Sequence, residues 1–343
     1  MFVALLLACQ DYNVVAKGGA PGQYNPPDLS VETREDRITQ VPVSSVDVLW
    51  VIDNSCSMIE EQQSLEQNFD SFMQYFTASG LDYHVGVVTT DMSSNRESGR
   101  LVTDTQNSQR YIDNTFSESD AIATFGRRAV LGTDGDSDER GKDAVRAALV
   151  DHVNGVNAGF YREDAALSVV VISDEPDFST ISVNTFTQWM RGLKVSEEMV
   201  SFSSIVGPLP NGCTPPGGDE WSSADPGEGY VEVTRDLGGV EWSICSPDWQ
   251  GALTELGLQA AGLKREFYLS LVPVESSISV HVEPQDGEPT APFVAGTDYT
   301  YSRARNSITF LTFVPPPLAQ VVVRYEVLAS TPIEAGTSTG TAE

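Results

Sequence analysis

Apolar runs and amphipathic helices alternate along most of the chain. Runs rich in Val, Ile and Leu occupy residues 46–52, 82–90, 167–173 and 199–206. Runs of this length that end in polar residues predict strands buried in a parallel sheet. Apolar residues also recur at helical spacing over 65–76, 145–152, 180–192 and 249–263. The alternation predicts an α/β fold over residues 43–263, with a doubly wound, mostly parallel sheet flanked by helices.

The pattern changes from residue 264 onwards. Short alternating stretches, separated by turns that contain Pro or Gly, occupy 267–272, 278–283, 307–313 and 320–328. Such stretches are typical of half-buried strands, so residues 264–329 are predicted to form a small all-β, sandwich-like module. The end of the chain, 330–343, is rich in Gly, Ser and Thr and is predicted to be disordered.

Residues 207–247 interrupt the α/β pattern with many Gly and Pro residues and with Trp221 and Trp242. Cys213 and Cys245 bracket this segment. We predict that they form a disulfide that orders the segment as a lobe and stabilises the fold by roughly 3–4 kcal/mol. Disulfides are typical of oxidising compartments outside the cytoplasm. The remaining Cys56 is expected to be a small, buried, free thiol.

The chain begins with a short apolar run that ends in Leu-Leu-Ala-Cys. This run is similar to a bacterial lipoprotein signal, which predicts a signal peptide over 1–9 and a lipid on Cys9, although no Lys or Arg precedes it. Gln10 favours the outer membrane. The Gly- and Pro-rich stretch 10–42 would be a flexible tether. No other stretch has the ~20 apolar residues of a spanning helix, so only the lipid would contact the membrane. The alternative is a simple apolar N-terminal arm.

The charge of the chain bears on its partners. It carries 49 acidic and 20 basic residues, for a formal net charge of −29. This balance argues against nucleic-acid binding, which requires a basic surface. Divalent cations or cationic partners fit better, and solubility outside the cytoplasm is the simpler explanation for most of the charge.

Two of the predicted strands end in carboxylates. The first is followed by Asp53, Ser55 and Ser57, and the third by Asp174. Because parallel strands place their carboxyl ends at one edge of the sheet, we expect these side chains to converge there. Carboxylates and hydroxyls suit a hard cation such as Mg²⁺. The alternatives are a Ser-rich strand end with no metal, and an Asp174 that caps a helix.

Hydroxyl ligands affect what such a cation can bind. They carry no charge, so a cation that they hold remains under-neutralised. An acidic group of another molecule is then a favourable last ligand. The predicted site is therefore better suited to binding a partner than to holding a metal permanently.

Residues 48–58, with the sequence VLWVIDNSCSM, resemble the first motif of von Willebrand factor type A (vWA) domains and their metal-ion-dependent adhesion site. The resemblance extends over residues 43–263, with Cys56 where the family usually has Gly. It implies that Ser173-Asp174-Glu175 is the third metal motif, in which Asp174 completes the site.

The resemblance also implies that a loop before a helix supplies a hydroxyl to the cation. Ser137 is our candidate for this ligand, and Thr133 is the reserve. The loop also carries Asp134, Asp136 and Asp138 at alternate positions, as an EF-hand calcium loop does, but it lacks the Gly and the Glu that the loop requires later. A separate Ca²⁺ site stays open, and a solvated acidic loop is favoured.

These features predict a lipid-anchored, extracytoplasmic binding or adhesion protein without catalytic residues. It would use Mg²⁺, or Mn²⁺ or Ca²⁺, to bind an exposed carboxylate of a protein or glycan partner. The competing hypothesis is a metal-assisted or Ser-based hydrolase, which would need His84, His152 or His281 beside a serine. A third hypothesis is a structural envelope protein whose metal site is vestigial, which Cys56 and the irregular hydroxyl loop favour.

Overall fold

The computed structural model describes residues 30–218 and 222–329. Its strands are, in chain order, β1 (Ser30–Thr39), β2 (Ser45–Ile52), β3 (Asp82–Thr89), β4 (Ile112–Asp113), β5 (Ala166–Ser173), β6 (Val200–Val206), β7 (Glu241–Ser243), β8 (Glu266–Tyr268), β9 (Ser279–Glu283), β10 (Tyr299–Ser302), β11 (Ser307–Phe310) and β12 (Gln320–Ala329). Its α-helices are α1 (Ile59–Ser79), α2 (Glu118–Ala129), α3 (Gly141–Arg146), α4 (Val183–Arg191), α5 (Val231–Leu237) and α6 (Trp249–Ala260).

Strands β2 to β7 form one sheet in the order β4-β3-β2-β5-β6-β7. Neighbouring strands are parallel except for β4, which runs antiparallel to β3 at the edge. The chain therefore winds outwards in both directions from the central strands β2 and β5. This arrangement confirms the predicted doubly wound, mostly parallel sheet, and the four predicted strands differ from the observed ones by one residue at one end.

Helices cover both faces of the sheet because β2 is apolar on both sides. Trp50 and Ile52 pack in one core with residues of α1, α2 and α6. Leu49 and Val51 pack in a second core with residues of α3, α4 and α5. The first core is aromatic, since the indole of Trp50 lies 5.2 to 5.9 Å, edge to face, from the rings of Phe69, Phe72 and Phe125.

Two antiparallel sheets form the module at the end of the described chain, in the orders β1-β12-β9 and β10-β11-β8. One apolar core contains side chains of both sheets, such as Val280, Val323, Phe267 and Phe310. The sandwich-like prediction is therefore confirmed. The strand β10 was not predicted, and neither was β1.

Residues 30–39 correct the predicted tether over 10–42, because they form β1 and pair with β12 along their whole length. The sequence pattern concealed the strand because its residues 31–35 are all exposed and most of its side chains are charged or polar. Such a composition is typical of an edge strand, which needs a pairing partner more than an apolar face.

The predicted lobe 207–247 is shorter than expected. Helix α5 and strand β7 lie within it, and β7 joins the main sheet beside β6. The Gly and Pro residues around them concealed these short elements. The predicted disulfide between Cys213 and Cys245 is confirmed. Cys56 is free, as expected, but exposed instead of buried, because it lies in the turn after β2.

The Gln40 side chain lies at the junction of the two parts of the molecule and is buried. Its amide donates to the carbonyl of Lys264 at 2.8 Å and to that of Pro315 at 3.3 Å. Gln40 thus links the segment before β2 to the segment after α6.

Several predictions lie outside the described residues, namely those for the signal peptide with Cys9, residues 10–29 of the tether, Trp221 and the tail 330–343. Within the described ranges, no helix combines the length and the apolar character needed to cross a bilayer.

Candidate metal centre

The carboxyl ends of β2, β3 and β5 meet at one edge of the main sheet. Ile52, at the end of β2, is in register with Thr89 on β3 and with Ile172 on β5. The Asp53 N–H donates to the Ile172 carbonyl at 3.0 Å, and the Thr90 N–H donates to the Ile52 carbonyl at 3.3 Å. The turns that follow these strands therefore begin side by side.

The Asp53 carboxylate is buried and held in one orientation by two hydrogen bonds. Its Oδ1 accepts from the Ser55 N–H at 2.7 Å, and its Oδ2 accepts from the Ser173 hydroxyl at 2.7 Å. An ionised carboxylate offers about four lone-pair sites. Two hydrogen bonds therefore leave Asp53 with capacity for a cation.

Ser55 and Ser57 bring their hydroxyls to the same turn, where their Oγ atoms are 3.3 Å apart. Burial raises the pKa of Asp174, and the hydroxyl of Ser57 lowers it in part. The Oδ1 atom of Asp174 is buried and has no hydrogen-bond partner among the described residues. The structure thus brings together four of the sequence-predicted ligands, Asp53, Ser55, Ser57 and Asp174. Asp174 is not a helix cap, since Ser182 caps α4.

The loop between α2 and α3 is fastened to this edge by Gln62 of α1. The buried amide of Gln62 donates to the carbonyls of Asp53 at 2.9 Å and of Gly132 at 3.0 Å. Further along the loop, the Gly135 N–H donates to the Asn54 carbonyl at 2.9 Å. A Cβ at Gly135 would lie 2.6 Å from the Asn54 side chain, so only glycine permits this approach.

The hydroxyls predicted from this loop are not brought to the Asp53 turn by hydrogen bonds. Ser137 is exposed, and its N–H donates to the carboxylate of Asp136 at 2.8 Å. Thr133 is half-buried. Across residues 30–218 and 222–329, no hydrogen bond links Ser137 or Thr133 to Asp53, Ser55 or Ser57. A contact between either hydroxyl and a cation stays a prediction.

The same loop delivers a side chain that the sequence analysis missed. Glu139 is fully buried. Its Oε2 accepts a hydrogen bond from the hydroxyl of Thr90, and its backbone carbonyl accepts from the Phe178 N–H at 2.7 Å. Within an acidic loop a carboxylate is expected to be solvated. The one indication in the sequence was the position of Glu139 just before α3, near the point where the resemblance to vWA domains predicts a ligand.

Negative charges are crowded at this edge. Burial raises the pKa of Asp53, and the charge of Asp174 raises it further. Burial and the charge of Asp53 raise the pKa of Glu139 strongly. Burial, with the charges of Asp53 and Asp174, raises the pKa of Glu175 to about 7. A divalent cation among these groups would offset both the repulsion and the loss of hydration.

The donor set fits a hard divalent cation of the Mg²⁺, Mn²⁺ or Ca²⁺ type. Four buried oxygens near the turn have no hydrogen-bond partner in the described part of the chain, Oδ1 of Asn54, Oε2 of Glu61, Oδ1 of Asp174 and Oε1 of Glu139. Each such atom costs about 1–3 kcal/mol unless a ligand or water satisfies it. In that same part of the chain, no three Asp, Glu, His or Cys side chains converge closely enough to hold a metal by themselves. Hydroxyls or water would therefore have to supply part of the coordination of any cation bound here.

The histidines that a hydrolase would need lie elsewhere. His84 is in register with Asp47 near the amino ends of the strands, and its Nδ1 lies 2.8 Å from the Phe160 carbonyl. His152 contacts the carbonyl of Ser98, and His281 contacts Glu283 in the β-module. None of these contacts involves Ser55 or Ser57.

Comparisons with known proteins give structural neighbours only. No family model matches the sequence, and no curated protein matches it significantly. A proximal thread matrix protein of the mussel byssus aligns at 12% identity and a TM-score of 0.42, over 69% of this chain and 52% of that one. It has also been solved with a zinc-occupied MIDAS motif.

Two bacterial structures are similar as well. A von Willebrand factor type A protein of Catenulispora acidiphila aligns at 10% identity and a TM-score of 0.38, over 90% of this chain and 68% of that one. The pilus adhesin SpaC of Lactobacillus rhamnosus GG aligns at 10% identity and a TM-score of 0.42, over 90% of this chain and 44% of that one. This chain spans about half the length of the mussel protein and less than half of the adhesin. Because these TM-scores lie below 0.5, the fold assignment rests on this chain's own sheet order.

Proposed function

We propose that this chain is a binding protein of the adhesion type that holds a divalent cation between Asp53, Ser55, Ser57 and Asp174. The observation that carries the proposal is the buried, unpartnered Oδ1 of Asp174, which lies on the turn that meets the Asp53 turn at the sheet edge. Asp53 would hold the cation with its remaining lone pairs, and the two serines would add neutral oxygens. No reaction is assigned to the site.

The partner is proposed from the chemistry of the donors. A site with two neutral hydroxyls leaves a divalent cation able to accept one more oxygen ligand. An exposed carboxylate of a protein or glycan meets this need with both charge and geometry. The net charge of −29 would repel an acidic partner over long distances. Binding would therefore depend strongly on the cation.

The site would act outside the cytoplasm. The disulfide between Cys213 and Cys245 is typical of an oxidising compartment. We further propose that a lipid on Cys9 anchors the protein in the outer membrane, with the residues before β1 as the tether. Metabolic labelling with a fatty acid should mark the wild type and leave Cys9→Ser unlabelled. Equal labelling of the two would contradict the anchor.

Titration calorimetry with Mg²⁺, Mn²⁺, Ca²⁺ and Zn²⁺ tests the metal proposal. The wild type should bind one ion at this edge, and Asp53→Ala should lose that binding while it stays folded by circular dichroism. Asp134→Ala is the matched control, because Asp134 is an exposed carboxylate of the acidic loop. Loss in Asp134→Ala alone would place the ion on that loop instead. Absence of binding by a folded wild type, both with and without acetate, would favour the vestigial site.

A further inference from the structure

Glu139 is a buried carboxylate at the sheet edge where the proposed cation site lies. Hydrogen bonds from two other segments of the chain hold it in place. Thr90, which follows β3 directly, donates its hydroxyl to Oε2, and Phe178 binds the backbone carbonyl. The Arg140 N–H also donates to the Thr90 carbonyl at 3.1 Å, so both polar groups of the peptide bond that follows the Glu139 Cα are hydrogen-bonded. The orientation of Glu139 is thus set by the turn adjacent to Asp53.

The second oxygen of this carboxylate has no partner. Oε1 of Glu139 is buried without a hydrogen bond in the described part of the chain, and the residue has no exposed surface. Burying a carboxylate with a free oxygen is costly unless a cation or a polar ligand compensates it. Burial raises the pKa of Glu139, and the charges of Asp53, Glu175 and Asp174 raise it further. Repulsion from these groups makes a cation the ligand that fits.

We propose that Glu139 supplies the third negative charge to the cation held at Asp53 and Asp174, in the place where the resemblance expects a neutral hydroxyl. The contact would run through a water, since no three carboxylates converge directly in the described residues. This inference rests on the proposed function. It differs from the sequence-based expectation in one respect: a cation countered by three carboxylates stays bound without a partner, whereas one held mainly by hydroxyls requires the partner's acid.

The test is a calorimetric titration of the full chain with Mn²⁺ in a buffer free of carboxylates. The wild type should bind Mn²⁺ under these conditions. Glu139→Gln keeps the size of the side chain and removes its charge, and it should weaken Mn²⁺ binding by about tenfold or more. Glu60→Gln is the matched control, because Glu60 is an exposed carboxylate in the first turn of α1. The Mn²⁺ affinity of Glu60→Gln should equal that of the wild type. Thermal unfolding in EDTA verifies that each variant is folded.

Three results would overturn the inference. Equal Mn²⁺ affinity of the wild type and Glu139→Gln would leave the cation site in place and remove Glu139 from it. Binding by the wild type only after acetate is added would show that an external acid is required, again with the proposed function intact. A wild type that takes up no Mn²⁺ with or without acetate would contradict the proposed function, and this inference with it.

Discussion

At the scale of single residues, the uncharged side chain of Gln62 links the Asp53 turn to the loop between α2 and α3. The amide nitrogen of Gln62 donates to two carbonyls, and its Oε1 accepts from the N–H groups of Leu131 at 2.9 Å and Gly132 at 3.2 Å. A single buried glutamine therefore satisfies backbone groups of both the Asp53 turn and the loop that carries Glu139.

Replacing this side chain should destabilise the protein. Gln62→Leu keeps the volume but leaves buried backbone groups unpaired, and we expect the free energy of unfolding to fall by about 2–4 kcal/mol. Gln63→Leu makes the same change at the next, exposed position and should stay within about 0.5 kcal/mol. Urea unfolding measures both. Equal changes in the free energy of unfolding at the two positions would show that the hydrogen bonds of the Gln62 side chain do not stabilise the protein.

Lys194 is a second buried residue with a measurable signature. Its ammonium lies 3.9 Å from the ring centroid of Tyr161 and donates to the carbonyl of Arg162. Burial lowers its pKa from the ordinary value to about 8. Between pH 8 and the ordinary value, the unfolded chain therefore binds more protons than the folded one, so this group's contribution to stability rises with pH across that window.

Lys194→Met is expected to reveal this dependence. The free energy of unfolding of the wild type relative to the variant should rise by about 1–2 kcal/mol between pH 7.5 and pH 10. Other titrations occur in both proteins and cancel in the difference. Urea unfolding at the two pH values measures it. A difference that does not change with pH would mean that Lys194 keeps its ordinary pKa.

The sequence predicted that the candidate ligands after the buried strands lie together, but it did not indicate the buried carboxylate of Glu139 on a loop. Asp53 and Asp174 follow apolar runs, and the geometry of a parallel sheet requires such ends to converge. Glu139 belongs to a stretch of polar and acidic residues, and nothing in that pattern indicates burial. Its environment depends on tertiary contacts with Thr90 and Phe178, which no local pattern encodes.

At the scale of elements, the disulfide holds the lobe after β6 against the turn that carries Asp174. Cys213 pairs with Ala224 through reciprocal backbone hydrogen bonds of 3.0 and 2.8 Å. The next residue, Asp225, donates its N–H to the Asp174 carbonyl at 2.8 Å. The disulfide joins Cys213 to Cys245, which lies 32 residues after it, and closes this segment beside the sheet. The lobe therefore supports the turn that carries Asp174.

Removing the disulfide should cost stability. The double variant Cys213→Ser with Cys245→Ser should lower the free energy of unfolding by about 3 kcal/mol, because the unfolded chain regains the freedom of the closed loop. Cys56→Ser is the control, since this thiol is free and exposed, and it should stay within about 0.5 kcal/mol. Chemical denaturation of the three proteins provides the comparison. A double variant as stable as the control would contradict this role.

Elements were predictable where one pattern dominated the sequence. The buried strands β2, β3, β5 and β6 were found because each contains several buried Val, Ile or aromatic side chains. The helix α2 was missed because it lies in a stretch that reads as polar, although Phe125 and Ala129 are fully buried. The same holds for α5, whose seven residues follow a Gly- and Pro-rich segment. Tertiary packing decides the structure of such short elements.

At the scale of the whole molecule, the α/β domain and the β-module are built from three segments of the chain. Strand β1 precedes the α/β domain in sequence but pairs with β12 of the β-module from Ser30 to Thr39. It also contributes Asp36, whose carboxylate accepts hydrogen bonds from Ser270 and Tyr325. The β-module is therefore complete only when both ends of the described chain are present.

Removal of β1 should affect the β-module and the α/β domain differently. A chain shortened to begin at residue 40 leaves β12 with an open edge, so the β-module should unfold in a separate, earlier transition. The α/β domain should keep its Mn²⁺ affinity. A chain that begins at residue 30 is the control and should unfold like the wild type. Differential scanning calorimetry distinguishes them. An unchanged transition without β1 would show that the strand is dispensable.

The central claim is that the edge formed by Asp53, Ser55, Ser57 and Asp174 holds a divalent cation. Anomalous diffraction from crystals soaked in Mn²⁺ tests it most directly, because it locates the ion independently of affinity models. We predict one strong peak within coordination distance of the Asp53 turn, with Glu139 facing it. A well-ordered Asp53 turn without a peak, or a peak only at the acidic loop that contains Asp134 and Asp136, would contradict the claim.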